Sequence, residues 1–179
     1  MGQTLLATLA LVVLASFIMS LNMRHVTMRQ QAMGREFEEM AASVAVESME
    51  IIRSRAFDDA VQGTATTTTA DVFTYTNRTN HCPTGNECSV FGAGTDNCDD
   101  VDDFHGMTTA IRPFVLGTDT IMFTVDVDVH YVNDQFQRNN GRTFNKEVVV
   151  KVRDTWPETG GNPFMPDSVR LSRVISYQF

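Results

Sequence analysis

The sequence predicts an α+β fold in which a long N-terminal α-helix packs on an antiparallel β-sheet of about three to five strands. Two patterns predict this fold. Residues 1–60 contain an apolar run followed by apolar residues at helical spacing, and no proline occurs before Pro83. From about residue 107, apolar and polar residues alternate with the period of a strand. We therefore expect a helix over residues 1–60 and a globular head over residues 61–179.

The first part of the helix, residues 1–23, is apolar and free of charged side chains. At a rise of about 1.5 Å per residue it is long enough to span a bilayer. Small side chains such as Ala10 and Ala15 would also let neighbouring helices approach closely. A plain single-pass anchor explains this segment as well as a filament core does. The side chains assigned to the membrane or filament core are Leu5, Leu6, Leu9, Ala10, Val12, Val13, Ala15, Phe17, Ile18 and Leu21.

The second part of the helix, residues 24–60, is amphipathic. Its apolar residues recur at spacings of three and four up to about Phe57, which places them on one stripe of a helix. The helix should end between Asp58 and Gly63, where helix formers give way to the run GTATTTTA. Because one face of the sheet needs an apolar cover, we expect the stripe to pack on it. The side chains assigned to helix–sheet packing are Met33, Phe37, Met40, Val44, Ile51, Val127, Val129, Tyr131, Val148, Val150 and Val152.

Several segments of the head have the alternation that is typical of strands. The clearest is IMFTVDVDVHYV, residues 121–132, in which every second side chain is apolar. Pro113 places the strand that contains it at an edge of the sheet or ends that strand. The predicted strands are residues 71–76, 107–115, 121–132, 144–154 and 169–179.

An Asn-Gly dipeptide at residues 140–141 predicts how two of these strands are joined. This dipeptide is typical of a two-residue type I′ turn in a β-hairpin. Such a turn would place Tyr131 opposite Val150 and Val129 opposite Val152. Both sets of apolar side chains then lie on one face of the sheet, which a slip of one residue would prevent.

The three cysteines, Cys82, Cys88 and Cys98, lie close together in a polar, acidic loop over residues 77–106. In a chain with an export-type N-terminus, this clustering indicates a disulfide formed in an oxidising compartment. The sequence leaves the pairing open and leaves one thiol over. A zinc site that also uses His81 and His105 is the other interpretation, although the CxxC spacing is missing.

The same loop contains a dense group of carboxylates, which is its best candidate for binding a small ligand. A solvated acidic loop is the simpler interpretation, and a calcium site is the alternative because hard oxygen ligands suit this ion. The spacing does not match an EF-hand. The sequence also contains a glycosylation sequon at Asn77. The candidate calcium ligands are Asp96, Asp99, Asp100, Asp102 and Asp103.

Composition and motifs argue against two classes of function. The formal net charge of −8 is unsuited to nucleic-acid binding, which needs a concentrated basic surface. No GxSxG, HExxH, P-loop or GxGxxG motif occurs, so we expect no enzyme activity and, calcium aside, no cofactor. His25 and His130 are expected at the surface, and Asp126 and Asp128 are explained by the polar face of a strand.

The order of the elements resembles that of type IV pilins and related filament subunits. The shared features are a helix that is apolar and then amphipathic, a following antiparallel sheet, and a loop with cysteines. The resemblance implies a structural subunit held in the inner membrane before it polymerises with copies of itself, helices in the core and heads outside. It also implies a pilus-type assembly machinery as a partner, a location in an extracellular or cell-surface filament, and a role in adhesion, motility or surface interaction.

The chain departs from the family pattern at the start of the apolar segment. Pilins carry a glutamate there, whereas Gln3, Thr4 and Leu5 occupy this region and the first acidic residue is Glu36. The early proline of the family is also missing. The resemblance is therefore to a divergent member. The alternative is a single-pass membrane protein with an extracytoplasmic binding domain, or a pseudopilin-like component of a secretion complex.

Overall fold

A computed structural model describes residues 2–62, 66–74, 76, 88–92, 95, 98–107, 110–116, 119–155, 165 and 167–178. It confirms the α+β fold, with one long helix and a four-stranded antiparallel sheet. The chain forms two compact units, Met1–Phe37 and Glu38–Phe179. The elements are α1 (Gly2–Arg53), β1 (Ala110–Leu116), β2 (Asp119–Tyr131), β3 (Asn145–Asp154) and β4 (Val169–Ser176).

Helix α1 ends at Arg53, earlier than the sequence pattern indicated. After Arg53 the backbone forms hydrogen bonds with the acidic loop instead of with the helix. The N–H of Ala56 donates to the carbonyl of Asp99 at 3.3 Å, and the N–H of Val101 donates to the carbonyl of Ala56 at 3.0 Å. This short parallel bridge to the acidic loop replaces the last helical turn, so Phe57 follows the helix instead of belonging to it.

The strands lie in the order β1-β2-β3-β4, and each pair of neighbours is antiparallel. In the register, Ala110 lies opposite Val125, and Val150 lies opposite Leu171. The predicted strands over 107–115, 121–132, 144–154 and 169–179 correspond to β1, β2, β3 and β4. We call the buried side of the sheet the inner face. Its fully buried side chains in β2 and β3 include Val125, Val127, Val129, Tyr131, Val148, Val150 and Val152.

The predicted register of the β2–β3 hairpin is wrong, although the predicted inner face is right. Val129 pairs with Val148 instead of Val152, and Tyr131 does not pair with Val150. The displacement is by an even number of residues. Since side chains alternate with a period of two, such a displacement keeps every valine on the same face.

The register differs because the chain reverses before the Asn-Gly dipeptide. The side-chain oxygen of Asn133 accepts the backbone N–H of Gln137 at 2.9 Å, which closes a tight turn. Phe136 within this turn has a φ of 59°, a left-handed conformation. Arg138 already pairs with Val132 in an isolated antiparallel bridge. The connection between the strands is therefore a long loop and not a two-residue turn.

The predicted strand over residues 71–76 is also wrong. Ala70–Val72 is a short 3-10 helix, and Phe73 turns into a buried aromatic cluster. The N–H and hydroxyl of Thr74 both donate to the carboxylate of Asp58, at 3.0 and 3.1 Å. The Asp58 carboxylate thus accepts the backbone N–H of Thr74, which in a sheet would donate to a neighbouring strand.

The buried stripe of α1 within the Glu38–Phe179 unit is centred on small residues. Val44 is buried, whereas Met40 and Ile51 are only half-buried. Phe37, the last residue of the first unit, is also buried. Met33 is 44% exposed, so its predicted burial is not found. The buried stripe is therefore rotated from the predicted one. The other buried residues of α1 are Ala41, Ala45, Ser48, Met49 and Ile52.

Two ion pairs connect α1 to the sheet on either side of this stripe. Glu47 accepts from Arg112 of β1 at 3.0 Å, and Glu50 lies 3.2 Å from the guanidinium of Arg173 in β4. Both arginines occupy strand positions on the inner face of the sheet. The helix therefore covers the inner face and its two edge strands, as the amphipathic pattern predicted.

Candidate functional site

The apolar segment of α1 is exposed along its whole described length. Side-chain exposure of its large residues ranges from 41% at Leu21 to 70% at Leu6. Leu5 lies in α1, and its side chain is outside the described part. Ala10 and Ala15 are exposed as well. The other predicted core residues, all exposed, are Leu9, Val12, Val13, Phe17 and Ile18.

Apolar side chains surround this segment on every side. Four consecutive residues of a helix point in directions about 100° apart and so cover its circumference. Leu11, Val12, Val13 and Leu14 are such a set, and all four are more than half exposed. A helix that is apolar all round is covered by lipid or by other protein chains. By length and composition alone, α1 is also the one helix among the described residues that is suited to crossing a membrane.

Two hydroxyl groups, one in the apolar segment and one after it, bond back to carbonyl groups of their own helix. Ser16 donates to the carbonyl of Val13 at 2.8 Å, and Thr27 donates to the carbonyl of Met23 at 3.0 Å. Because these hydroxyls bond back to their own helix, they carry little cost in an apolar environment.

A second site lies in the head, where an ammonium group is completely buried. Lys146 of β3 has a side-chain exposure of 0%, as do Asp58 and Asp102. Its Nζ lies 2.7 Å from Oδ2 of Asp102 and 3.1 Å from Oδ2 of Asp58. It also donates to the carbonyl of Phe57 at 2.6 Å. We call Lys146, Asp58, Asp102 and the groups bonded to them the lysine cluster.

Neutral hydroxyl groups complete the lysine cluster. Tyr131 donates to Oδ2 of Asp58 at 3.2 Å and lies 2.7 Å from the carbonyl of Thr74. The Thr74 hydroxyl lies 3.1 Å from both Asp58 and Asp102. The cluster thus joins the segment after α1, the 3-10 helix Asp102–Phe104 and the strands β2 and β3.

Aromatic rings separate the cluster from water. The Lys146 ammonium lies 4.3 Å from the ring centroid of Phe57 and 5.1 Å from that of Tyr131, within the range of cation–π attraction. Phe57 in turn packs edge-on against Phe73, with ring centroids 5.1 Å apart. Low polarity around the cluster strengthens each electrostatic interaction inside it.

The acidic groups around Lys146 differ in acidity. Burial favours the neutral form of Asp58, but the Lys146 ammonium and backbone N–H donors outweigh burial and lower its pKa. Burial raises the pKa of Asp102 to about 7, in spite of the same ammonium. Burial also raises the pKa of Asp100. For Asp103, burial and its hydrogen bond with Asp99 raise the pKa to about 7.

The carboxylates proposed as calcium ligands have other partners in the structure. Oδ1 of Asp100 accepts the backbone N–H groups of Asp102 and Asp103, at 2.7 and 3.0 Å. Oδ2 of Asp103 accepts that of Asp99 at 2.9 Å. Asp96 lies outside the described residues. Among the described residues, no group of three or more histidine, cysteine or acidic side chains is arranged so that it could hold a metal ion. The cation beside Asp102 is the ammonium group of Lys146.

Cys88 and Cys98 form a disulfide, with their Cα atoms 5.2 Å apart. Both residues are buried, and the bridge holds the loop that leads to the lysine cluster. Cys82 and the sequon residue Asn77 lie outside the described residues. The expected disulfide is therefore present, and one of the open pairings is now assigned.

The outer face of the sheet carries the polar side chains of β2 in ion pairs. Asp128 lies 2.9 Å from Lys151, and Asp126 lies 3.8 Å from Arg153. His130 is half-buried, and burial lowers its pKa with help from the nearby Arg138 guanidinium. These contacts agree with a solvated strand face.

Sequence reasoning missed Lys146 and Asp58 as members of a site. One signal was available for Lys146: it stands in phase with Val148 and Val150, so an inward strand position carries a charge. An inward charge needs a buried partner, and Asp102 was already noted for its acidic neighbours. Asp58 had no such signal, because its position depends on where α1 ends.

No protein family model, curated protein or solved structure matches this chain.

Proposed function

We propose that this chain is a structural subunit of an extracellular helical filament and resembles a type IV pilin. The apolar segment of α1 would form the filament core together with copies of itself, and the head would lie on the outside. Before assembly the same segment would be held in the inner membrane. The role is structural, in adhesion, motility or surface interaction, and involves no catalysis.

The observation that carries the proposal is the exposure of apolar side chains around the whole circumference of α1 from Leu6 to Leu21. Such a surface needs a cover on every side, which a bundle of identical helices supplies. Small residues at intervals, such as Ala10 and Ala15, would let the helices of the bundle approach closely. One continuous helix contains both this segment and the stripe that covers the sheet, so each added subunit brings a head with it.

Enlarging the small residues of the apolar segment tests the proposal. We expect Ala10→Phe and Ala15→Phe to abolish filament formation while the chain still inserts into membranes, since both changes keep the segment apolar. Filaments would be counted by electron microscopy, and membrane insertion by resistance to alkaline extraction. Leu9→Met and Val13→Ile are the matched controls, because they preserve both polarity and approximate volume.

The second candidate function is a single-pass anchor for an extracytoplasmic binding domain, or a pseudopilin-like part of a secretion complex. The membrane-compatible length and composition of α1 favour it equally. An anchor surrounded by lipid tolerates side chains of any shape. Unchanged filament assembly in the two phenylalanine variants would therefore contradict close helix packing. Recovery of the wild-type chain in membranes with no filaments would favour the anchor.

A further inference from the structure

We propose that Lys146 and Asp102 condense to form an intramolecular amide cross-link, with Asp58 as the group that transfers the proton. This is a modification site built into the head, and it does not depend on the proposed filament function. The chain would be its own substrate, and water would be the only other product.

The first support is the distance between the reacting groups. Nζ of Lys146 lies 2.7 Å from Oδ2 of Asp102, although the two residues are far apart in the chain. Both side chains have an exposure of 0%. Holding an amine against a carboxyl group in this way replaces an encounter in solution with a fixed contact, which raises effective concentrations by orders of magnitude.

The second support is that one oxygen of Asp102 has no stabilising partner. Its Oδ1 is buried and makes no hydrogen bond with the described residues. A carboxylate with a bare oxygen in an apolar site favours its neutral form, and the pKa of Asp102, raised by burial, agrees with this. The neutral carboxylic acid is the form whose carbon an amine can attack.

The third support is the different state of Asp58. Its Oδ2 lies 3.1 Å from Nζ of Lys146 and accepts further hydrogen bonds from Thr74 and Tyr131. These donors and the ammonium keep Asp58 ionised. An ionised carboxylate in contact with the nitrogen is positioned to accept its proton.

The reaction balances without an oxidant, a reductant or another reactant. A proton moves from the Lys146 ammonium to Asp102, which leaves an amine and a carboxylic acid. The amine nitrogen forms a bond to the side-chain carbonyl carbon of Asp102, and Asp58 takes a proton from that nitrogen. Asp58 then returns the proton to the departing hydroxyl, the C–O bond breaks, and one water molecule leaves. The net charge of the three side chains is therefore −1 before and after the reaction, and at the end it lies on Asp58.

The surroundings decide the direction of the reaction. In water, a free ammonium and a free carboxylate are hydrated, and this opposes condensation. In the lysine cluster the rings of Phe57 and Tyr131 take the place of hydration water around Lys146, so hydration opposes condensation less there than in solution.

The chain contains a matched pair that lacks these surroundings. Lys151 of β3 lies 2.9 Å from Oδ2 of Asp128, but the two side chains are 43% and 38% exposed. The residue types and the distance are similar, but this pair is partly exposed and has no counterpart of Asp58 among its described contacts. We therefore expect no cross-link between Lys151 and Asp128.

Mass spectrometry of the full chain tests the proposal. The wild-type protein is purified in detergent, unfolded and reduced, and its intact mass is compared with the mass calculated from the sequence. We expect a mass lower by one water molecule. A tryptic digest should contain a branched peptide joining Lys146 to Asp102, with no cleavage after Lys146. Lys146→Arg, which keeps the charge, should have the full calculated mass, and Asp58→Asn should contain a larger uncross-linked fraction.

Several results would overturn the proposal. The full calculated mass in folded wild-type protein, with normal cleavage after Lys146, would show that the pair is only ionic. Loss of water without the branched peptide would indicate dehydration elsewhere, for example a succinimide. A Lys151–Asp128 branched peptide in equal amount would assign the reaction to handling, and a branch to Asp58 would refute the role given to Asp102.

Discussion

The ammonium nitrogen of Lys146 lies 2.7 Å from the carboxylate of Asp102, and neither side chain is exposed to solvent. The same nitrogen donates to the carbonyl of Phe57 at 2.6 Å. One side chain therefore connects strand β3, the acidic loop and the segment that follows α1. Because buried charges are costly without partners, the head depends on this contact for its packing.

Lys146→Met tests how much the contact stabilises the head. The substitution leaves the buried carboxylates of Asp58 and Asp102 without a cation and also prevents the proposed cross-link, so we expect it to lower the free energy of unfolding by at least about 3–5 kcal/mol. Denaturant unfolding of the full chain in detergent would measure the loss. Lys151→Met removes an exposed ion pair of similar length and should cost no more than about 1 kcal/mol. Equal losses in the two variants would contradict the account.

The pH dependence of stability tests the state of Asp103. Burial and the hydrogen bond with Asp99 raise its pKa from the usual 3.8 to about 7, so the folded state binds this proton more tightly than the unfolded chain does. The resulting stabilisation is complete below about pH 4 and is lost as the pH rises through 7.

Asp103→Asn should therefore remove part of that pH dependence. An asparagine side chain can donate to Asp99 at every pH, as the protonated acid does. Between pH 4 and pH 7, the stability of the variant relative to wild type should rise by about 1.4 kcal/mol or more, the value of one pKa unit. Urea unfolding at a series of pH values measures this. Asp134→Asn, in an exposed turn, is the control, and parallel profiles for wild type and Asp103→Asn would refute the assignment.

Removing the disulfide tests its contribution to the acidic loop. The Cys88–Cys98 bridge closes a loop with a sequence separation of 10, and restricting a loop of this length in the unfolded chain is worth about 2–3 kcal/mol. Under oxidising conditions we expect Cys88→Ser to have an unfolding free energy lower than that of wild type by this amount. Under reducing conditions, where wild type has no disulfide, the two proteins should be equally stable. Cys82→Ser should leave the stability unchanged. The opposite ranking of these two variants would show that another pairing dominates.

Ala41 tests the close packing of α1 on the sheet. Its side chain has an exposure of 0%, whereas Ala42, the next residue of the helix, is exposed. Ala41→Leu should overpack the interface and cost about 1–3 kcal/mol, while Ala42→Leu should have little effect. Thermal unfolding of both variants, monitored by circular dichroism, makes the comparison. A similar melting temperature for the two would mean that the helix does not approach the sheet through its alanines.

Much of the fold could be predicted because it follows from local periodicity. The alternation in residues 121–132 identified β2 and its inner face, which includes Val127 and Val129. The register could not be predicted from the Asn-Gly dipeptide, because Asn133 forms an earlier turn through its own side chain. A competing local hydrogen bond of this kind leaves the strand pattern unchanged and moves only the point of reversal.

The apolar segment of α1 could be predicted from the sequence, whereas the lysine cluster could not. The apolar segment was recognisable because its character is continuous from Leu6 to Leu21. The lysine cluster was not, since Asp58, Asp102 and Lys146 lie in three separate parts of the chain. An acidic loop at neutral pH suggested a metal ion, and only the tertiary fold shows that a lysine from β3 enters it.

Electron microscopy of material sheared from the surface of cells that produce this chain tests the central claim most directly. The account predicts thin helical filaments that contain this chain by mass spectrometry and are missing from cells that produce Ala10→Phe. Recovery of the wild-type chain only from membrane fractions, with no filaments in the sheared material, would contradict it.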